Sequence, residues 1–166
     1  QILGESFSRE GLDMGQIEMV SDGKDYGYRN KIEFSFYGDD DGLHFAFYNR
    51  GTHSKQIVTG SALAHPSINQ AAIDILGQLN TIGVRASDLK SLILRCTQQG
   101  GVVAALFVKV KTFPEIKVPG SAQGFKVYFS NPKSPASVIT KQIYSLGDTK
   151  LSDTLLAEDM QYDVAG

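Results

Sequence analysis

Two runs of alternating residues constrain this chain most tightly. In "KIEFSF" the residues Ile32, Phe34 and Phe36 recur at every second position, and in "LHFAFY" Leu43, Phe45 and Phe47 do the same. Successive side chains of a strand point to opposite faces, so each triplet marks one face of a β-strand. The aspartate-rich stretch "YGDDDG", Tyr37 to Gly42, separates them and reads as the closing loop of an antiparallel hairpin. Both triplets share a face if Phe36 opposes Leu43, Phe34 opposes Phe45 and Ile32 opposes Phe47. A slip of one residue throws one triplet into water. The expected strands run from Tyr28 to Phe36 and from Leu43 to Arg50, with Tyr28 at the edge of the core.

The same register fixes the opposite face. It sets Arg29 against Arg50 and Lys31 against Tyr48, with Glu33 against Ala46. His53 and Lys55 follow directly in "YNRGTHSK". Like charges opposed across a strand pair repel, and arginine's planar fork suits phosphate. Arg29, Lys31, Arg50, His53 and Lys55, with Tyr48 as a stacking ring, therefore form a candidate anion patch. The other reading is a solvated strand face with Glu33 as a surface partner, a pairing worth little. Pattern alone leaves both open.

The remaining elements form an α+β pattern. Gln1 to Gly11 reads as a helix end, and "QIEMV", Gln16 to Val20, and "KQIV", Lys55 to Val58, as short strands. In "HPSINQAAIDILGQL", Pro66 suits a first helical turn, and Ile68, Ala72, Ile75 and Leu79 form an apolar stripe at helical spacing. His65 is read as its entry residue and Gly83 as its stop. Leu92 to Thr97 and Val102 to Val110 are nearly continuous apolar runs, expected as central strands covered on both faces. "TFPEIKVPGSAQG" reads as either a short helix or a loop. Phe125 to Ser130, Val138 to Ser145 and Leu151 to Met160 are further strand candidates, broken by "NPKSP". The sum is one α+β domain, an antiparallel or mixed sheet with one to three packing helices.

Composition narrows the function classes. The chain has 166 residues and a net charge of -2, so nucleic-acid binding has to come from a local patch. Its one cysteine, Cys96, lies in an apolar run and reads as packed rather than nucleophilic; a single thiol fits a reducing cytoplasm. No apolar run approaches the ~20 residues of a membrane span. Glycine-rich nucleotide loops, zinc-protease helices and serine elbows are absent from the sequence. His44, His53 and His65 lie in separate segments, and Asp39 and Asp41 solvate a turn rather than hold a cation. The absence of an initial methionine and the "MQYDVAG" ending are expected of a piece cut from a longer protein.

"GYRNKIEFSF", "LHFAFYNRGTHSKQIV" and "ALAHPSINQ", in that order, resemble the middle region of the bacterial RNA uracil-5-methyltransferase family. "LILRCTQQGGVVAALFV" is similar to the family's next hairpin, and "TLLAEDMQYDVAG" to the strand before its "FFQVN" segment. The resemblance spans Tyr26 to Gly166. It implies a three-part parent enzyme: an N-terminal β-barrel, this RNA-contacting central domain as residues 1–166, and a C-terminal Rossmann-like domain that binds S-adenosylmethionine and carries the catalytic cysteine. The chain itself is then expected to be non-catalytic and to hold no cofactor. Some members hold an iron–sulfur cluster; Ser61 stands where one ligand would fall, so no cluster is expected. Arg29, Lys31 and Arg50 match basic positions of the family motif, which implies contact with the RNA backbone. Arg95 also matches one, with an ion-paired strand arginine as its other reading. The resemblance further implies the parent's catalytic domain as a partner and a cytoplasmic location. The rival from another class is a stand-alone binding or scaffold module.

Overall fold

The β-hairpin forms, but with strands shifted toward a tighter turn than expected. In the computed structural model, which describes residues 2–13, 15, 21, 23–52, 54–157 and 160–165 (backbone only from 154 on), β1 is Lys31–Asp39 and β2 is Gly42–Tyr48. Phe36 opposes Phe45, Gly38 opposes Leu43 and Asp39 opposes Gly42, so only Asp40 and Asp41 turn the chain. Two-residue loops are favoured because their twist matches that of the strands. The register therefore differs by two residues from the expected one. A shift of two preserves the faces, so the phenylalanines still point inward. The opposition of Arg29 to Arg50 and of Lys31 to Tyr48 does not form.

The turn is held from two sides. Asp39 Oδ1 accepts from the backbone N–H of Asp41 at 3.1 Å and contacts His44 Nε2 at 2.9 Å. The His44 hydrogen bond holds the Asp39 carboxyl below its ordinary value. From the other side, Asn80 Oδ1 accepts from Leu43 N (2.8 Å) and its Nδ2 donates to Leu43 O (2.9 Å), pairing with the strand as a backbone would.

A seven-stranded mixed sheet follows, in the order β3-β2-β1-β4-β5-β6-β7, where β3 is Lys55–Val58, β4 Leu89–Cys96, β5 Val102–Val108, β6 Gly124–Phe129 and β7 Lys141–Gly147. All neighbours are antiparallel except β5 and β6. The strands Ser152–Ala157 (β8) and Met160–Ala165 (β9) pair only with each other. The fold class is α+β, as expected. The strand expected at Gln16–Val20 lies outside the described residues.

Among the described residues, two α-helices accompany the sheet. Helix α1, Ile2–Arg9, buries none of its residues. Helix α2, Pro66–Thr81, buries Ile68, Ala71, Ala72, Ile75 and Leu79 against one face of the sheet. His65 caps it, its Nδ1 accepting from Ser67 N, and Gly83 leaves it at a positive φ of 67°. Facing α2 are Ile32, Phe34, Phe36, Phe45, Leu92, Leu94, Leu106, Phe125 and Val127, all buried. Phe34 is fully buried, its ring 4.5 Å from that of Phe45 and 5.3 Å from that of Phe47. The ambiguous "TFPEIKVPGSAQG" is a loop that extends the core. Ile116 is buried, and Gln78 of α2 clamps Lys117 through bonds of 2.9 and 3.0 Å.

Two expectations need correction. Tyr28 is 52% exposed, because the strand begins only at Lys31. Strands β4 and β5 are central, yet α2 covers only one of their faces. On the other, Ile93, Val103 and Ala105 are half-buried. A loop from β6 to β7 crosses one end of that face: Ser137 Oγ lies 2.6 Å from Ser91 Oγ and donates to Glu33.

Candidate nucleic-acid interface

The open sheet face is where the sequence-derived cations meet the fold. The expected patch separates into parts. Arg29 precedes β1 and is tied by its backbone to the chain entering α2: its N–H donates to Leu63 O and its carbonyl accepts from His65 N. It borders a polar cleft with Tyr28, Asn30 and Gln98, away from the hairpin's outer face. Arg50 lies exposed in the turn after β2. Tyr48 and Lys55 pair across β2 and β3. The Lys55 ammonium sits 4.9 Å from the centre of the Tyr48 ring and donates to Phe36 O at 2.7 Å, so its charge is already engaged. Tyr48 is 60% exposed. His53 lies outside the described residues.

Lys31 has a different partner from the one expected. Strand β1 pairs with β4, and Lys31 directly opposes Arg95. Opposed like charges reappear here on another strand pair. The outward residues of β5 and β6 continue this face. Val103 is level with Arg95, Lys126 is level with Ala105, and Tyr128 is level with Phe107. Together they enclose a cleft of about 450 Å³ whose floor is Ile93, Val103 and Ala105. Lys31 and Arg95 stand on one side and Lys126 on the other. The Tyr128 ring lies 5.4 Å from that of Phe107, its almost fully buried neighbour on β5. Ile139, 57% exposed, stands at the rim. The ion pairs formed among the described residues are His44–Asp39 and Arg85–Asp88, so none of these cations enters one there. Pairwise reading of the hairpin missed Lys126 and Tyr128. Their signal was the alternation of "GFKVYF", whose Phe125 and Val127 face inward.

Lys90 behaves differently from the cleft cations. Its ammonium donates to Ser130 Oγ, Asn131 O and Ser134 O, pinning the β6–β7 loop to the sheet. Desolvation, reinforced by Lys109 and opposed by Glu33, lowers its pKa.

Cys96 is 3% exposed, and burial, with Asp153 nearby, pushes its thiol up, away from the reactive thiolate. No three His, Cys, Asp or Glu side chains gather to hold a metal among the described residues. The connection from β3 into α2 is filled by its own side chains: Asn69 holds both the N–H and carbonyl of Ser61, and Ala64 is buried. No described helix is long and apolar enough to cross a membrane.

A tRNA methyltransferase of known structure shares this fold. It is the Pyrococcus abyssi tRNA (uracil-54, C5)-methyltransferase, solved in complex with S-adenosyl-L-homocysteine. The likeness covers 96% of this chain at a TM-score of 0.66 and 14% sequence identity. The chain spans 40% of the length of the Pyrococcus enzyme. No family model and no curated protein matches the chain.

Proposed function

We propose that this chain is the RNA-positioning domain of a larger S-adenosylmethionine-dependent RNA (uracil-5-)-methyltransferase and is itself non-catalytic. The observation that carries the reading is the extent of the fold likeness: nearly the whole chain superposes on part of a tRNA methyltransferase. The cations of the open face support it, because they supply the local positive field that a chain of net charge -2 otherwise lacks. Such contacts fix the register of the RNA, while the chemistry belongs to residues outside this chain. Arg29, Arg50, Tyr48 and Lys55 extend the proposed RNA contact beyond the cleft, and His53 is a proposed contact as well. The parent's catalytic domain is the proposed neighbour in the same polypeptide, and the cytoplasm the proposed location.

Methyl transfer tests this. The polypeptide encoded by the complete reading frame is incubated with labelled S-adenosylmethionine and RNA, beside the 166-residue chain alone. The expected result is label at C5 of uridine for the complete polypeptide and none for the chain. A complete polypeptide that leaves RNA unlabelled, or a chain that labels it unaided, contradicts the reading.

A further inference from the structure

We infer that the cleft on the open sheet face binds an unpaired RNA strand, with phosphates on Lys31 and Arg95 at one side and Lys126 at the other, and a base stacked on Tyr128. The inference rests on the proposed role in positioning RNA and names the form of RNA involved.

The charge arrangement favours an anion with repeating charges. Lys31 and Arg95 are opposed across β1 and β4, an unfavourable neighbourhood that a bound phosphate relieves. Lys126 stands on β6, two strands from Arg95. At the usual strand spacing that places the two backbones roughly 10 Å apart. A single inorganic anion does not engage both sides at that separation, whereas successive phosphates of one strand do.

The floor favours exposed bases. Ile93, Val103 and Ala105 are half-buried and apolar, and a paired helix presents sugar, phosphate and polar base edges to such a surface but keeps its base faces stacked inside. An unpaired strand turns its bases outward, and proteins take them up on aromatic rings and apolar surface within a basic groove. Tyr128 is half-exposed and flanked by the buried ring of Phe107, so its ring is held in place before anything binds.

Fluorescence anisotropy decides it, with labelled oligouridylate of about twelve nucleotides and an RNA duplex of equal length. Titrations run at about 50 mM salt, where phosphate contacts are strong. The chain is expected to bind the single strand more tightly than the duplex. Arg95→Glu combined with Lys126→Glu is expected to weaken single-strand binding tenfold or more, and Tyr128→Ala by about tenfold. The control, Lys111→Glu with Lys117→Glu, makes the same charge change at exposed positions outside the cleft and is expected to alter binding by less than about twofold. Equal losses in the cleft and control variants overturn the cleft. So does unchanged binding in the cleft variants with loss in Arg29→Glu or Arg50→Glu, and in that case the RNA-positioning role stands. A wild-type chain that binds neither RNA overturns both.

Discussion

Replacing Phe34 with alanine should lower the unfolding free energy by about 3–5 kcal/mol, the usual loss for a large buried aromatic residue. Phe34 is completely buried and packs against the rings of both Phe45 and Phe47. It sits on β1, between β2 and β4, in the interior of the sheet. Strands flanked on both sides by hydrogen-bonded neighbours have little freedom to close a cavity, so the cavity cost adds fully to the lost transfer energy. Urea unfolding measures the effect. Phe47→Ala provides the scale: Phe47 is only half-buried, so its loss should be distinctly smaller. A loss under about 1 kcal/mol at Phe34 would mean that the site collapses, against the rigid central strand described here.

Asn80→Ala should cost about 1–3 kcal/mol, more than most surface changes on a helix. Its amide makes both hydrogen bonds to the backbone of Leu43, at 2.8 and 2.9 Å, in place of a neighbouring strand. Alanine leaves that N–H and carbonyl without these partners in a part-buried position. The same side chain explains Gly42, whose φ is 120° and where an added Cβ would come within 2.9 Å of Asn80 Oδ1. Gln70→Ala is the comparison, since Gln70 bonds only to Asp74 four residues along the same exposed helix face. Its loss should stay below about 0.5 kcal/mol. Equal losses at the two positions would show that the Leu43 clamp contributes no more than a surface pair.

The fold was legible wherever periodicity was strong. Alternation in "KIEFSF" and "LHFAFY" identified the inward triplets correctly, and Pro66 with the Ile68–Leu79 stripe marked α2 closely. The exact register was not legible, because shifting a hairpin by two residues leaves every face unchanged. Asn80, far away in sequence, and the two-residue turn stabilise the register found in the structure. The parallel pairing of β5 with β6 was also hidden, since its crossover is a loop rather than a recognisable helix.

The candidate site was legible in its chemistry more than in its geometry. Opposed like charges do occur in the fold, but assigning them to the hairpin gave Arg29 with Arg50. The pair that forms is Lys31 with Arg95, across a contact between β1 and β4 that no local turn dictates. Lys126 and Tyr128 join them only because β6 runs alongside β5. Sequence alternation gives a residue's face, while strand order decides which residues share a neighbourhood on it.

RNA affinity as a function of salt tests the central claim most directly. If the open face holds phosphates on Lys31, Arg95 and Lys126, the logarithm of the binding constant for single-stranded RNA should fall linearly with that of salt concentration, with a slope of about −2. Binding that is absent, or that does not change with salt, would contradict an RNA-positioning role for this chain.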